Sequence, residues 1–345
     1  MSKTKSTEAK TTFRTIAAWA ANACAFLAAM AGACFAISSA LPSPRVFDIG
    51  QKLDHLAAHP GIDTLFIGSS RIFHSVDPAL FDRDAARHGV RTRSFNLGTD
   101  GMRPPESLYV TRLALARHPG LRWVFIEAQD IFVKLPRQNL ATARSVHWHD
   151  WRHTALVLRE IRTRLAHTAG ARPLMWLHVQ CFAWRTSNVG RGAELVADRW
   201  RWVKKAAAPE PLWAGREGFV PDTHPWADEK LRARYALAVE TIRAAPPAPA
   251  PLTPVLREAL RDVVAEVRAA GATPIFVVTP TVLAREQFGA LRAQGVDADL
   301  IGFYSPDAQP ELFDAALHND AEHLNARGAA VFSRALAAEF AKLAR

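Results

Sequence analysis

A run of 26 residues without a formal charge, Ile16 to Leu41, divides this chain before any other feature does. In hydrocarbon every backbone N–H and C=O must be paired within the segment, so a lone apolar run of this kind is forced into a helix. About 20 residues suffice to cross a bilayer. Lys3, Lys5, Lys10 and Arg14 precede the run, and positive charge ahead of a span favours a cytoplasmic N-terminus. Residues 1–15 therefore read as a basic cytoplasmic tail and 16–41 as a transmembrane signal anchor. The alternative is a secretory signal cleaved near Ala40, after Ser38-Ser39. Against it, the run exceeds the roughly 7–15 residues of an ordinary signal core, and Pro42 would sit just past the cut. Both readings export the body. The anchor reading places it at the inner membrane, facing the periplasm.

The body has an α/β rhythm. After a helix expected over Val46 to Ala58, the apolar run Leu65 to Ile67 stops at Gly68-Ser69-Ser70. Asp77-Pro78 then supplies a cap and a first-turn proline for a helix reaching His88. A strand over Thr92 to Asn96 ends in Asn96-Leu97-Gly98-Thr99-Asp100-Gly101, and Pro104-Pro105-Glu106 opens a helix to Arg117. A third strand, Trp123 to Ala128, ends at Gln129-Asp130. Three such repeats predict a parallel sheet with helices on both faces. The rhythm resumes with an amphipathic helix over Val255 to Ala270, closed by Gly271, and a buried strand over Thr273 to Val278. A helix over Gln287 to Gln294, a last strand over Asp299 to Phe303 and a closing helix over Asn325 to Arg345 complete it. Residues 45–130 and 255–345 thus form one α/β domain, interrupted by an insert over 131–254.

The net charge of +10 first suggests nucleic acid or an anionic surface as a partner. Residues 131–205 hold 14 Lys/Arg against four Asp/Glu, an excess of ten, so the basic character belongs to the insert. There Trp148, Trp151, Trp176, Trp184, Trp200 and Trp202 lie among arginines and His147, His149, His153, His167 and His178. Basic side chains neutralise phosphates and aromatics stack on bases, but an exported, tethered body rarely meets nucleic acid, and none is expected as a partner. The same composition suits a membrane headgroup surface, a patch that grips sugars, or a solvated basic face. His149 and His153 have a zinc-compatible i, i+4 spacing. No glutamate lies between them, so the metalloprotease pattern fails; packed Trp/His positions account for them, and neither metal nor cofactor is expected. Thr154 to Ala166 and Asp228 to Ala244 read as helices, and Pro246 to Pro254 as an Ala/Pro linker. Cys24 and Cys34 lie in the apolar run and Cys181 is alone in the body, so no disulfide framework exists.

A strand, a small-residue turn and a helix place a hydroxyl at the carboxyl edge of a parallel sheet, beside free backbone N–H groups. Those groups suit a negatively charged oxygen. A serine hydroxyl needs a base to remove its proton, usually a histidine whose other nitrogen is held by a carboxylate. Asp320 and His323, three apart just before a helix, supply both from one turn. Alone, Asp320 reads equally as a helix cap and His323 as a surface histidine; together with the serine turn they make a nucleophilic constellation. Arg71, next to the serines, is a candidate for holding a carboxylate or an acyl intermediate, or for an ordinary surface salt bridge.

Three blocks in this order, Gly68-Ser69-Ser70, Asn96 to Gly101 and Asp320-Ala321-Glu322-His323-Leu324-Asn325, resemble the SGNH (GDSL-like) hydrolase superfamily. The resemblance spans about 63–130 and 255–345 and leaves out the anchor and the insert. It implies a three-layer α/β/α, flavodoxin-like fold with Ser70 as nucleophile, His323 as base and Asp320 as its partner. Ser69 is the alternative nucleophile. It also implies an oxyanion hole using the N–H groups of Ser70 and Gly101, with Asn96 near the substrate. Two departures stand out. The Asp that commonly precedes the family serine is Ser69 here, and the third block, normally Gly-x-Asn-Asp, is Glu127-Ala128-Gln129-Asp130. Gln129 is the candidate to replace the oxyanion-donating asparagine, a donor worth roughly 10²–10³-fold in rate. The Gly-x-Ser-x-Gly elbow of α/β-hydrolases is absent from this turn. A single N-terminal span with Gly-Ser-Ser and Asp-x-x-His also looks like the teichoic-acid D-alanyl transfer protein. More loosely it resembles anchored exopolysaccharide O-acetyltransferases, although alginate-type members place the Asp/His pair before the serine. These resemblances imply a serine esterase or O-acyltransferase acting on an acylated envelope glycan or a small acyl ester, with a multispanning acyl-transfer partner. The alternative is a non-catalytic envelope assembly or carbohydrate-binding protein on the same fold.

Overall fold

The computed structural model describes residues 2–40, 47–131, 134–135, 142–188, 210–245, 249–282, 287–288 and 291–344. The uncharged run from Ile16 to Ala40 lies within one helix, α1 (Ser2–Ala40), of which Thr15–Ser39 is long and apolar enough to cross a membrane; Leu41 lies outside the described residues. Pro42 and Pro44, Trp200 and Trp202, and Pro246 to Pro247 in the linker lie outside the described residues.

Five parallel strands make the central sheet: β1 (Thr64–Ile67), β2 (Ser94–Asn96), β3 (Trp123–Glu127), β4 (Thr273–Val278) and β5 (Asp299–Gly302). Their order is β2-β1-β3-β4-β5, with Phe66 in register with both Asn96 and Phe125, and Phe125 with Ile275. The chain leaves β1 for one side and returns on the other, so the order reverses between β1 and β3. In open parallel sheets such a reversal opens a crevice beyond the carboxyl ends of the strands.

Alternate strand residues enter two apolar clusters, as a sheet buried on both faces requires. Leu65, Ile67, Val124, Ile126, Phe276 and Val278 belong to one, and Phe66, Phe125, Ile275, Val277 and Ile301 to the other. Helix α2 (Phe47–Ala58) contributes Leu53 and Leu56 to the first cluster, and α5 (Pro104–Arg117) and α10 (Pro254–Ala269) contribute Val110 and Val263. Helices α4 (Pro78–Arg87), α9 (Glu229–Ala244) and α11 (Ala326–Leu343) contribute Phe81, Tyr235, Phe332 and Phe340 to the second. Each fully buried Phe contributes about 1.5–3 kcal/mol.

Three expected elements differ. The helix expected from Thr154 starts at Trp151, because the Asp150 side chain caps it by accepting the His153 N–H. The second strand starts at Ser94 rather than Thr92, because Asp82 captures the Thr92 hydroxyl at 2.6 Å and the Ser94 N–H at 2.9 Å. The helix expected over 287–294 is not formed. Gln287–Phe288 pairs as a two-residue strand with Pro249–Ala250, and Arg292–Gln294 makes a single 3₁₀ turn that Gly295 ends at φ +79°.

In the insert, α6 (Ala143–Trp148), α7 (Trp151–Leu165) and α8 (Ala171–Thr186) precede α9. Its arginines are not simply a solvated face. Arg152 meets Asp262 at 3.0 Å and Glu266 at 2.5 Å, Arg159 pairs with Glu258, and Arg164 pairs with Asp130 and Glu160. Acidic residues of α10 thus take up much of the charge on α7. Residues 210–222 return to the body, where the Asn96 N–H donates to the Glu217 carbonyl at 2.8 Å.

Candidate active site

The first half of the site is built at the end of β1. Gly68 has no room for a side chain: a Cβ there would lie 2.5 Å from Ile72 Cγ1 and 2.7 Å from Glu127 Cβ. Ser69 caps the one-turn helix α3 (Ser70–Phe73), its hydroxyl accepting from the Arg71 N–H at 3.2 Å. The alternative nucleophile is therefore occupied as a cap. Ser70 opens the turn, and its hydroxyl lies 2.7 Å from His323 Nε2.

The second half is a tight loop before α11. His318 and Leu324 form an antiparallel bridge, and the Asn319 N–H donates to the His323 carbonyl at 3.1 Å. The cap of α11 is Asn325, whose side chain accepts from the Arg327 and Gly328 N–H groups. Asp320 is thereby left for the imidazole. Its Oδ1 accepts the N–H groups of Glu322 at 2.7 Å and His323 at 2.8 Å, and its carboxylate accepts His323 Nδ1–H at 2.8–2.9 Å. A carboxylate only accepts, so the neutral ring carries its proton on Nδ1 and presents Nε2 as an acceptor to Ser70.

The electrostatics follow from this pairing. Burial works against the charge on Asp320, but its hydrogen bonds from His323 and the turn N–H groups outweigh that and hold the carboxyl below its ordinary range. Burial also pulls the His323 imidazole down, and Asp320 more than compensates, leaving its pKa above 6.5.

The remaining sequence-derived residues divide. The Thr99 N–H donates to the Gly68 carbonyl at 3.1 Å, which fixes the 98–101 loop beside the serine turn. Gly101 in that loop has φ +64°, a left-handed conformation that glycine adopts without strain. Ser70 N–H, at the first helical position, has no acceptor among the described residues. Gln129 is half-buried and makes no hydrogen bond among the described residues.

Asn96 does not reach the site's opening. It is fully buried; its amide donates to the Ile72 and Val76 carbonyls at 2.8 Å and accepts from the Gly98 N–H at 2.9 Å. It ties the two loops together. Arg71 forms a salt bridge through Nε to Glu127 Oε1 at 2.7 Å, but a largely buried one rather than the surface pair expected, the two side chains being 15% and 1% exposed. His149 Nε2 meets His178 Nδ1 at 2.9 Å while His153 Nδ1 meets Asp150 at 2.6 Å, so the two zinc-spaced histidines serve different partners.

The roles of three side chains around the site were not legible in the sequence. Glu127 is buried, and its other oxygen accepts the Ser69 N–H at 2.6 Å, bracing the serine turn from β3. Lys52 on α2 is 0% exposed and donates to the carbonyls of Asn96, Gly98 and Gly218 at 2.7–3.1 Å. Burial draws its pKa down to about 7, against the pull of Asp48 and Asp100. Three carbonyls match the three donors of an ammonium. Its one sequence signal was placement three residues after Ile49 and four before Leu56, on the buried stripe. His74, one turn after Ser70, faces the Val220 carbonyl at 2.7 Å and Asp100 at 2.9 Å. Both partners only accept, so this ring carries two protons; burial lowers its pKa, and the bonds to Asp100 and Val220 raise it overall.

The chain matches no protein-family model, and no curated protein matches it.

Proposed function

We propose that this protein is a membrane-anchored serine esterase or O-acyltransferase of the SGNH type, acting on acyl esters of a cell-envelope glycan. The observation that carries the reading is the 2.7 Å approach of Ser70 Oγ to His323 Nε2, with Asp320 on the far nitrogen. The side chains come from positions 253 residues apart, so local sequence does not account for their meeting. The strand order and the two apolar clusters support a flavodoxin-like, three-layer α/β/α assignment. The apolar span supports tethering in the inner membrane with the body in the periplasm.

In this mechanism Ser70 Oγ attacks the acyl carbonyl carbon as its proton passes to His323 Nε2. Asp320 stabilises the imidazolium. The N–H groups of Ser70 and Gly101 face the developing oxyanion, with Gln129 as a third donor. The ester C–O bond then breaks, and His323 returns the proton to the leaving alcohol. Water or a glycan hydroxyl next gives its proton to His323 as it attacks the acyl-serine carbonyl; the acyl–Oγ bond then breaks, and His323 returns that proton to Ser70 Oγ. Water yields hydrolysis; a bound hydroxyl yields transfer, for which a multispanning partner would deliver the acyl donor.

A second reading, a non-catalytic envelope assembly or carbohydrate-binding protein, is favoured by one observation. The altered third block places the Glu127 carboxylate against the serine turn, where it consumes the Ser69 N–H. A fluorophosphonate probe separates the two. Covalent labelling of the full-length protein that disappears in Ser70→Ala is expected. Labelling that survives the substitution removes Ser70 from its role, and a wild type that never labels favours the binding reading.

A further inference from the structure

Helix α8 carries an exposed apolar face that none of the described residues covers. Its buried side, with Ala171, His178 and Cys181, packs toward α6 and α7. The opposite stripe, Arg172, Trp176, Val179, Ala183 and Thr186, is exposed. Such a stripe on a water-facing helix is normally polar, yet Pro173 to Trp184 contains no formally charged residue. Trp176 is 64% exposed, and Trp151 at the start of α7 is 75% exposed. The Trp151 ring lies 6.4 Å from that of Phe182, which extends the apolar surface from one helix to the other.

The position of this face relative to α1 indicates what covers it. Asn188, two residues past the end of α8, donates to the Cys34 carbonyl at 2.9 Å and accepts from Ser38 Oγ at 3.0 Å. Both contacts fall in the last part of the apolar span Thr15–Ser39. At 1.5 Å per residue, Cys34 is about 7.5 Å of helix from the end of that span. The α8 terminus is therefore held at the level where hydrocarbon gives way to headgroups. That is the depth at which Trp is enriched and at which helices with one apolar face lie in the membrane plane.

We propose that the Trp151/Trp176/Val179 face of α7 and α8 docks on the phospholipid surface from which α1 emerges. The inference rests on the reading of α1 as a membrane span. A second attachment of this kind fixes the orientation of the body relative to the bilayer, which a single helix followed by a short connection does not do.

The test uses full-length protein in nanodiscs of phosphatidylethanolamine and phosphatidylglycerol. A nitroxide is placed at Val179→Cys in a Cys24→Ala, Cys34→Ala background, with the buried Cys181 retained; Trp176→Cys repeats the measurement. Collisions with oxygen, which concentrates in acyl chains, are compared with collisions with a water-soluble nickel chelate. Leu237→Cys on α9 is the aqueous reference, and native Cys24, labelled in Cys34→Ala, is the lipid reference. A severalfold loss of nickel collisions at 179 relative to 237, with oxygen collisions approaching those at 24, is expected. Nickel access at 179 equal to that at 237 overturns the proposal. Protection from both reagents also overturns it, since a protein partner or a second copy would then occupy the face. Nickel access at Cys24 itself removes the span, and the docking surface with it. Lipid exposure at 24 with water at 179 removes the docking surface alone.

Discussion

Replacing Asp320 with asparagine probes the electrostatics of the proposed site with little change in shape. The amide oxygen can still accept the Glu322 and His323 N–H groups that shape the turn at 2.7 and 2.8 Å, so the loop is expected to persist. What is lost is the charge 2.8 Å from His323 Nδ1. At that separation Coulomb attraction is about 1.5 kcal/mol with water-like screening and about 6 kcal/mol at an effective dielectric of 20. Asp320 is 54% exposed, which places the pair toward the screened end. Charge alone would then cost about tenfold in rate. The larger loss comes from the proton. An amide NH₂ turned toward Nδ1 favours the tautomer with hydrogen on Nε2, which removes the acceptor that Ser70 needs; the same change in a serine protease costs about 10⁴ in kcat. A loss of about 10³–10⁴ in ester hydrolysis is therefore expected. The pH profile supplies the independent readout. In the proposed mechanism neutral imidazole is the active base, and Asp320 raises its pKa from the ordinary histidine value, so wild-type kcat/KM is expected to rise with pH through that raised pKa. Without the carboxylate, that limb moves to lower pH. The assay is a pH series on a chromogenic acyl ester with both proteins. A variant within tenfold of wild type whose acid limb has not moved would refute the reasoning.

Gly68→Ala sets a Cβ against Ile72 and Glu127; overpacking of this kind costs about 1–3 kcal/mol, and a lower urea midpoint with weaker probe labelling is expected, an unchanged midpoint counting against the turn geometry. Lys52→Met strands the Asn96, Gly98 and Gly218 carbonyls at about 1–3 kcal/mol each, so denaturant unfolding should show a loss of about 3 kcal/mol or more, and a change under 1 kcal/mol would show that water takes the lysine's place. His74 has its pKa raised above the unfolded 6.5, so its stabilising contribution is complete below pH 6.5 and is lost as pH rises through the folded value. Melting temperatures of wild type and Asp100→Asn should therefore differ most in acid and converge in alkali; a gap independent of pH would exclude this pairing.

The parts legible in the sequence were those fixed by local chemistry. An uncharged run, a strand ending in Gly-Ser-Ser and an Asp-x-x-His before a helix each carry their cause within a few residues. Asp320 read from the sequence as a possible cap for the last helix, and the structure gives that cap to Asn325, which leaves Asp320 for the imidazole. Partners far apart in the chain were not legible. The arginines of α7 read as a basic surface because Glu258, Asp262 and Glu266, which take them up, lie about a hundred residues on. Periodicity told which face of a helix is buried, not what it meets. Lys52 shows this most clearly, since a lysine on a buried stripe looks like a fault in the pattern until three carbonyls close around it.

Residues 210–222 argue against regarding the insert as an appended module. β2 is an edge strand, and an open edge invites foreign pairing unless something covers it. Here the Glu217 carbonyl accepts from Asn96 N–H at 2.8 Å. The next residues go on to the groups that shape the site. Gly218 and Val220 offer their carbonyls to Lys52 and His74, and the Asp222 carbonyl accepts the Ala326 N–H at the start of α11. One short segment therefore touches the α2 lysine, the helix that begins at Ser70 and the helix that follows His323. The two halves of the α/β body supply Ser70, His323 and Asp320, and the insert supplies backbone acceptors that hold those halves in register. A chain stripped to the two α/β segments would keep Ser70, His323 and Asp320 in its sequence while losing acceptors for the buried Lys52 and the part-buried His74 beside them. The proposed site thus depends on the insert as well as on the two α/β segments.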